Sequence, residues 1–363
     1  MPFTSKFKTL QTQRGKGFQV VARLRSESQA FPSTNQATIH HVRPPTITPN
    51  SDPTFRNYST EQAKIYAAHR PSYPSKLYET IINHHEKTGG QFHLVLDLGC
   101  GPGNATRDIA TYFEDAIGCD AGAAMIGAAR EIGGQAKSGR DIRWVVGSGE
   151  EFAGLEGLER GSVDLITVAM AVHWFDMNKF WAQAAKALKP GGTVAIWTRA
   201  SHYPHPSTPN RDEVIRIFLH FERDILAPYE LLPNRLSRNM YDQLPISWNI
   251  PHPIPSTILP LSQFLKLDYD RDGILSDPAS NDFFGGGREI TLQQAEKGLD
   301  TASMVTRWRE AHPEEAGTEK DIVKLHIEKL RKAMGGKETM VTGSSTTIIL
   351  VKKALETGIS TSI

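Results

Sequence analysis

Apolar runs that predict buried strands alternate with helical patterns from about residue 92 onwards. The predicted strands are Phe92–Leu98, Ala116–Cys119, Ile142–Val146, Val163–Ala169 and Thr193–Thr198. The predicted helices between them are Thr106–Phe113, Ala123–Ile132 and Lys179–Leu188. Continuous apolar runs are typical of parallel strands covered on both faces, and their alternation with helices implies right-handed crossovers. The pattern therefore predicts an α/β fold with a doubly wound, Rossmann-like, mostly parallel sheet.

The pattern weakens around and beyond residue 200. Lys189–Gly192 is expected to end the helix Lys179–Leu188 in a turn before the fifth strand, and Ser201–Asn210 to form a loop. Further predictions are a helix over Glu213–Leu226, an irregular stretch over 227–290, a helix from Glu319 to Met334 and a strand over Thr346–Val351. The last strand fits an edge or antiparallel addition to the sheet. We expect one unit over residues 51–200 that contains the five strands, and a second, helical and irregular region over 201–363.

Charge is distributed unevenly along the chain. The 363 residues hold 41 basic and 40 acidic side chains, for a net charge of +1. Residues 1–50 contain seven of the basic residues and one acid, Glu27, so residues 51–363 hold 34 basic and 39 acidic side chains. A mildly acidic body is a poor match for a phosphate backbone, which disfavours nucleic acid as a partner. No apolar stretch reaches the roughly 18 residues that could cross a bilayer, so no membrane partner is expected.

Residues 1–50 are rich in Ser, Thr, Gln and basic residues and are interrupted by prolines. This composition predicts a disordered basic extension. It also resembles a mitochondrial transit peptide, although glutamines and glycines interrupt the amphipathic pattern that such a peptide needs. The two cysteines, Cys100 and Cys119, cannot form a disulfide framework and fit a reducing compartment. A cytoplasmic location is therefore expected, with the mitochondrion as the alternative.

Glycines are concentrated where the first strand meets the first helix. The segment Asp97–Gly103 (DLGCGPG) has glycines at 99, 101 and 103, whereas a dinucleotide-binding G-x-G-x-x-G would need its third glycine at Asn104. The pattern D-x-G-x-G-x-G is typical of proteins that bind S-adenosylmethionine. Asp120 ends the second strand, where a carboxylate can accept hydrogen bonds from both ribose hydroxyls. The spacing predicts S-adenosylmethionine as the cofactor; the alternative is a simple glycine turn with a helix-capping Asp.

Two further segments follow strand ends on the same side of the sheet. Gly147–Glu150 follows the third strand, where an adenine would pack, and Ser148 could bond the base edge or act as a helix N-cap. His173-Trp174-Phe175 follows the fourth strand, at the expected lip of the cleft.

With these residues placed, the chain resembles the class I S-adenosylmethionine-dependent methyltransferases, and more narrowly the fungal trans-aconitate methyltransferase group. The matching stretches are Tyr66–Pro74, Asp97–Thr106, Ile117–Asp120, Val163–Asp176 and Leu188–Trp197. Where that group has a Pro-Gly-Arg segment, this chain has Pro-Asn-Arg235. The resemblance implies cofactor contacts by Asp97, Gly99, Gly101, Gly103, Asp120, Ser148, Gly149 and Glu150. It also implies a role in small-molecule or secondary metabolism. We therefore expect residues 51–200 to form a lid segment and the S-adenosylmethionine-binding core. Residues 201–363 are expected to form a substrate-capping region, with a final helix and strand that complete the sheet.

The acceptor is expected to be a small molecule that is methylated on a carboxylate or hydroxyl oxygen. A carboxylate is ionised at pH 7 and needs no base, but it calls for arginines. A hydroxyl or amine would use a base, and His173 is then the first candidate. The alternative role for His173 is to shape the pocket lip. Candidates for the lid and the substrate side are Tyr66, Arg70, Tyr73, Trp174 and Arg235.

Two other functions remain open from sequence. A nucleic-acid methyltransferase that acts on base amino groups often has an Asn/Asp-Pro-Pro-Tyr loop after the fourth strand, where this chain has Met170–Trp174. A protein that keeps the fold without catalysis would also retain the glycine motif. The histidine pairs lack accompanying ligands at metal-site spacing, so no metal is expected. Nothing in the sequence indicates the oligomeric state.

Overall fold

The computed structural model describes residues 58–69 and 72–355, which contain eight strands and ten α-helices. The strands are β1 (Leu94–Leu98), β2 (Asp115–Asp120), β3 (Arg143–Val146), β4 (Val163–Ala169), β5 (Leu188–Pro204), β6 (Phe264–Tyr269), β7 (Arg288–Thr291) and β8 (Thr339–Lys352). The helices are α1 (Thr60–His69), α2 (Ser75–Lys87), α3 (Asn104–Ala110), α4 (Ala123–Ile132), α5 (Met177–Ala187), α6 (Arg211–His220), α7 (Leu232–Arg238), α8 (Leu292–Asp300), α9 (Ser303–Ala311) and α10 (Ile322–Ala333). The basic extension expected over residues 1–50 lies outside the described residues.

All eight strands form one sheet in the order β3-β2-β1-β4-β5-β8-β6, and β7 also pairs with β8. The first five strands run parallel, whereas β8 is antiparallel to β5, β6 and β7. The chain proceeds outward from β1 through β2 to β3 and then returns to β4 on the other side of β1. Ligands bind beyond the carboxyl ends of strands at such a reversal. The predicted doubly wound, mostly parallel fold is confirmed.

Both faces of the sheet are covered, as the apolar runs predict. Leu96 of β1 is fully buried in a cluster with Phe180 and Trp181 of α5, whereas Val95 is buried on the other face with Leu77 of α2 and Ile109 of α3. Burying a side chain of this kind contributes about 1.5–3 kcal/mol. The continuous apolar sequence of β1 is therefore explained by helices on both sides.

A buried carboxylate fixes the amino edge of the central strands. Asp164 of β4 is 1% exposed and accepts hydrogen bonds from the backbone N–H groups of His93 (3.1 Å) and Leu94 (2.8 Å). The Lys189 Nζ donates to it at 2.9 Å, which pairs the buried charge. The helix ends at Ala187, close to the position predicted from Lys189–Gly192, but the predicted turn is a strand because β5 already begins at Leu188. A shift in register between β4 and β5 accommodates the glycines within the strand.

The two longest strands extend beyond the rest of the sheet. We expected a loop from Ser201, but β5 continues to Pro204 because β8 runs beside it, with Tyr203 opposite Gly343. The last strand was predicted as an addition that could lie at an edge. It is antiparallel but lies between β5 and β6, and it spans Thr339–Lys352 rather than Thr346–Val351.

The C-terminal helices form a separate apolar cluster. Buried side chains of α6, α8, α9 and α10 pack together; they include Val214, Leu292, Val305, Trp308 and Leu330. The predicted helix over Glu213–Leu226 is present but changes type: α6 runs from Arg211 to His220, and a π-helical turn follows directly over Phe221–Ile225. The stretch 227–290 is largely irregular but contains α7, β6 and the start of β7. Among the described residues, no helix is long and apolar enough to cross a membrane.

Candidate active site

The glycine loop lies between β1 and α3, at the carboxyl edge of the sheet. Gly99, Gly101 and Gly103 have φ values of +64°, +55° and +88°, which disfavour residues with a Cβ. A Cβ on Gly99 would collide with the Ala171 side chain, and one on Gly103 would lie 2.6 Å from Cζ3 of Trp144. A Cβ on Gly101 would meet no heavy atom within 4 Å. The loop is therefore packed on two sides and open at Gly101, where a ligand can approach the backbone.

Asp120 connects this loop to the next one. Its Oδ2 accepts the Gly101 backbone N–H at 2.9 Å, and its Oδ1 accepts the Gly122 N–H at 2.7 Å. The Cys100 N–H also bonds the carbonyl of Cys119 at 3.1 Å. An ionised carboxylate has about four acceptor positions, so the half-exposed Asp120 retains capacity for hydroxyl donors. This acceptor beside the open glycine loop fits a ribose-containing cofactor such as S-adenosylmethionine.

Asp97 has a different role from the direct cofactor contact that we expected. Its side chain is fully buried, and it accepts hydrogen bonds from Thr106 Oγ1 (2.6 Å) and Thr167 Oγ1 (2.7 Å). Burial raises the pKa of Asp97 to about 6, against the lowering effect of these two hydroxyls. The carboxylate connects β1 to α3 and β4, so it fixes both ends of the glycine loop relative to the sheet. With no exposed surface, it does not face the cleft.

The segment after β3 is attached to the segment after β4. Ser148 Oγ accepts the Glu150 backbone N–H at 3.1 Å. This is the local capping role, which was the alternative to recognition of the adenine edge. Glu150 Oε1 accepts the Asp176 N–H at 2.8 Å. A Cβ on Gly149 would lie 2.6 Å from Cε2 of Phe175, so only glycine fits between the two segments. Ser148, Gly149 and Glu150 thus form one wall whose position is fixed by the loop after β4.

His173 is buried against a tyrosine that the sequence did not single out. It is 8% exposed, and its Nδ1 lies 2.8 Å from Tyr241 Oη. Burial lowers the pKa of His173 to about 3 and raises the pKa of Tyr241, although Thr198 and Ser237 oppose the latter effect. A histidine with so low a pKa is a weak proton acceptor at neutral pH. The structure therefore does not support His173 as a general base and favours the pocket-shaping alternative.

The lid candidates do not form a single group. Tyr66 of α1 packs beside Ala63 against Met125 of α4, and its ring centroid lies 6.3 Å from that of Tyr58. Tyr73 instead meets Trp197 of β5 edge-on, with centroids 5.4 Å apart. The segment 72–74 is anchored to α3, because Ser72 Oγ and Tyr78 Oη both donate to Asp108. Arg70 lies outside the described residues.

The remaining substrate candidates lie on two different elements. Trp174 is half-buried, with its ring 5.1 Å from that of His173, so these two lie together at the end of β4. Arg235 is on α7, where its side chain is 55% exposed and its Nε lies 3.3 Å from Glu230 Oε2. Two further arginines contact other residues: Arg199 donates to Ser344, and Arg307 donates to the Tyr229 carbonyl.

Sequence reasoning missed Tyr241, Thr106 and Thr167. Tyr241 contacts His173 but lies 68 residues away in sequence, so no local sequence pattern predicts the contact. The structure, unlike the sequence, does mark this position: Met240 and Tyr241 both have positive φ, at +52° and +57°. Strained pairs of this kind accumulate at functional sites. No group of three or more His, Cys, Asp or Glu in residues 58–69 and 72–355 has the arrangement of a metal site.

This chain is similar to known methyltransferases in sequence. Residues 96–196, which contain the glycine loop, Asp120 and His173, match the family described as methyltransferase domain. The chain is 26% identical over 279 residues to CRG1 of Saccharomyces cerevisiae, named as a probable S-adenosylmethionine-dependent methyltransferase; the match covers 72% of this chain and 84% of CRG1. The chain is an S-adenosylmethionine-dependent methyltransferase. S-adenosylmethionine is its cofactor, and the fit of the glycine loop and Asp120 agrees with this.

The methyltransferase has other relatives that match it over shorter lengths. Methyltransferase cfoB of Aspergillus candidus is 32% identical over 179 residues, which cover 48% of this chain and 54% of cfoB. The chain thus spans only about half of that relative. A solved structure from Anaeromyxobacter dehalogenans, assigned as a type II methyltransferase, superposes with a TM-score of 0.52 at 22% identity and covers 79% of this chain and 97% of the other. That likeness supports the class I fold of the methyltransferase.

Proposed function

We propose that the enzyme transfers the methyl group of S-adenosylmethionine to a carboxylate oxygen of a small molecule. The observation that carries this proposal is the absence of a competent base in the pair His173 and Tyr241 at the end of β4. The pKa of His173 is lowered to about 3, and that of Tyr241 is raised. A carboxylate acceptor is ionised already near pH 4 and needs no proton acceptor. A hydroxyl, phenol or amine would need one.

We propose that the cofactor lies across the glycine loop. Gly99, Gly101 and Gly103 give it access to the backbone, and Asp120 accepts from its ribose hydroxyls. Ser148, Gly149 and Glu150 flank the adenine. Asp97 acts as a positioning residue, because its carboxylate holds the loop through Thr106 and Thr167.

Methyl transfer requires little covalent chemistry from the protein. When bound, S-adenosylmethionine supplies a sulfonium methyl group that an acceptor oxygen attacks in line with the breaking carbon–sulfur bond. The chain then has to hold the acceptor in line and exclude water. Such positioning can account for roughly 7–11 kcal/mol of a barrier. We assign this task to Trp174, His173 and Tyr241 at the end of β4, with Tyr73 and Tyr66 in the lid and Arg235 on the acceptor side.

The narrower resemblance to the trans-aconitate methyltransferase group supports an acidic acceptor. It is carried by Tyr66–Pro74 and by the stretch His173–Asp176. The acidic charge of residues 51–363 also argues for a small molecule over nucleic acid. We extend the proposal to small-molecule or secondary metabolism in the cytoplasm, with the mitochondrion as the alternative location.

The chemical stability of the product tests this proposal. Purified enzyme is incubated with S-adenosylmethionine labelled in the methyl group and with matched acceptors: a carboxylic acid, the corresponding alcohol, a phenol and RNA. We expect label in the acid, and we expect mild alkali to release it as methanol because methyl esters hydrolyse and methyl ethers do not. Asp120→Asn is the matched control, which should lose cofactor binding and labelling together. Base-stable label, or label in RNA, contradicts carboxylate methylation.

A further inference from the structure

A polar cavity lies beside the extended end of β5. Its volume is about 530 Å³; it is open to solvent on one side and is lined by residues of β5, by α7 and the segment that follows it, and by the turn at Arg271. The residues that matter for its chemistry are Glu230, Arg235, Arg238, Met240 and Arg271. The glycine loop and Asp120 do not line it, so it is separate from the cofactor cradle.

Glu230 is the unusual member of this lining. Its side chain is 2% exposed, and Oε2 lies 3.0 Å from Arg238 Nη2 and 3.3 Å from Arg235 Nε. The other oxygen, Oε1, is buried and has no hydrogen-bond partner in the part of the chain that the structure describes. Leaving a buried acceptor unsatisfied is costly, and more so when it is charged. Glu230 Oε1 is therefore suited to accept a hydrogen bond from a ligand.

Two of the four arginines that line the cavity, Arg235 and Arg238, lie on α7, and a third, Arg223, lies 4.0 Å from Glu222. Arg271 is already bound by two acids, Asp242 at 2.8 Å and Asp268 at 2.8 Å. Arg235 and Arg238, in contrast, share one oxygen of a single carboxylate. Each guanidinium has five N–H donors, so both keep donors for a further anion. The α7 wall thus presents two arginines for one acid, together with an acceptor oxygen that lacks a partner.

The cavity adjoins the transfer end of the site through one short segment. Met240 lines the cavity, and the next residue, Tyr241, bonds His173. On α7, Ser237 Oγ lies 2.6 Å from Thr198 Oγ1 of β5, which fixes the helix that carries Arg235 and Arg238. Only the step from Met240 to Tyr241 along the chain therefore separates the cavity lining from the residue that contacts His173.

We propose that this cavity recognises the acceptor by two groups at once: a carboxylate bound by Arg235 and Arg238, and a hydroxyl or ammonium group that donates to Glu230 Oε1. The acceptor class is then a small hydroxy acid or amino acid, and Glu230 is the residue that selects for the donor. This inference rests on the proposed small-molecule methylation. It adds that an anion without an adjacent donor is a poor ligand, because it leaves Glu230 Oε1 buried and unsatisfied.

Three four-carbon diacids that differ only at C2 provide the test. Malate carries a hydroxyl there, aspartate an ammonium group and succinate neither. Binding of each is measured by calorimetry to the full chain saturated with S-adenosylhomocysteine, which cannot donate a methyl group. We expect malate or aspartate to bind at least about tenfold more tightly than succinate, as expected when a buried polar group loses its partner. Equal affinity for all three overturns the proposal.

Variants assign the effect to named residues. Glu230→Gln should reduce the preference for malate or aspartate over succinate to about threefold or less, and retention of the full preference overturns the proposal. Arg235→Gln should weaken all three ligands; its exposed side chain makes it a substitution that the fold tolerates, so the proposal stays testable if Glu230→Gln does not fold. Arg140→Gln is the matched control, since Arg140 pairs with Asp115 of β2 and should leave binding unchanged.

Failure here and failure of the proposed function give different results. The calorimetry needs no methyl transfer, so absence of a preference removes the cavity proposal and leaves a base-labile methylated product standing. Conversely, base-stable label contradicts carboxylate methylation even when malate or aspartate binds in the expected order.

Discussion

Substituting Gly101 by Ala places one methyl group at the open point of the glycine loop. The new Cβ would meet no heavy atom within 4 Å, so the substitution causes no collision within the protein. The remaining cost is conformational, because a φ of +55° lies in the left-handed region, where a residue with a Cβ loses about 1–2 kcal/mol. We expect the free energy of unfolding of Gly101→Ala to fall by about that amount, with a cooperative transition retained.

The same substitution should also weaken cofactor binding. If S-adenosylmethionine approaches the backbone at Gly101, the methyl group occupies space that the ligand needs. We expect its dissociation constant to rise at least tenfold, which corresponds to about 1.4 kcal/mol. Calorimetric titration with S-adenosylmethionine measures the affinity, and urea denaturation monitored by circular dichroism measures the stability of the same preparation.

Two other glycines serve as controls for this prediction. Gly127→Ala, on the exposed face of α4 with no atom within 4 Å of the new Cβ, should raise stability by about 0.5–1 kcal/mol and leave affinity unchanged. Gly103→Ala should destabilise the fold more than Gly101→Ala, because its Cβ would lie 2.6 Å from Trp144 Cζ3. Wild-type affinity in Gly101→Ala would refute the placement of the cofactor at the open point of the loop.

Three further substitutions test the site and its support. His173→Gln should keep kcat within about threefold and leave the pH profile of kcat/KM unchanged, whereas a loss of about 10²–10⁴ in turnover would indicate a general base. Burial raises the pKa of Asp97 from 3.8 to about 6. The folded protein therefore holds a proton that the unfolded chain releases, and stability should fall by about 3 kcal/mol as pH rises through this interval. Urea denaturation from pH 4 to 7 should show that Asp97→Asn lacks this decrease; an unchanged slope contradicts the assignment. Asp321→Ala should lower the free energy of unfolding by about 3 kcal/mol, because the buried carboxylate of Asp321 accepts from Arg309 Nε at 2.7 Å and also caps α10. Asp176→Ala removes only the cap of α5 and should lower it by about 1 kcal/mol in the same denaturation assay. Similar losses for the two caps would contradict the ion-pair contribution.

The geometry of the glycine loop, where we propose that the cofactor binds, could be predicted because its determinants are local. A buried strand, three glycines at alternate positions and an acid at the end of the next strand all lie within residues 94–120. The positive φ at Gly99, Gly101 and Gly103 is a property of that short segment. Parallel strands that follow one another then bring their carboxyl ends to one edge of the sheet, which places Asp120 against Gly101.

The departures from prediction have a common cause in long-range pairing. Lys189 looks like part of a helix-ending turn, yet its ion pair with Asp164 and the pairing of β5 with β4 hold it within a strand. Ser201 is followed closely by prolines, yet β8 extends far enough to pair with β5 up to Pro204. His173 is titratable near neutrality in isolation, and only burial against Tyr241 makes it a weak base.

The acceptor half depends on the part of the chain that the family match does not cover. The methyltransferase domain match ends at residue 196, before α7, the strained Met240–Tyr241 pair and Glu230. Because β8 joins the sheet between β5 and β6, it lengthens β5 past Trp197, its last residue paired with β4, and the residues added to β5 form one side of the cavity. The strand that completes the sheet therefore also builds the wall of the proposed acceptor site. Relatives that share the glycine loop can differ in that wall, so the choice of acceptor must be determined from this chain's own α7 and β5.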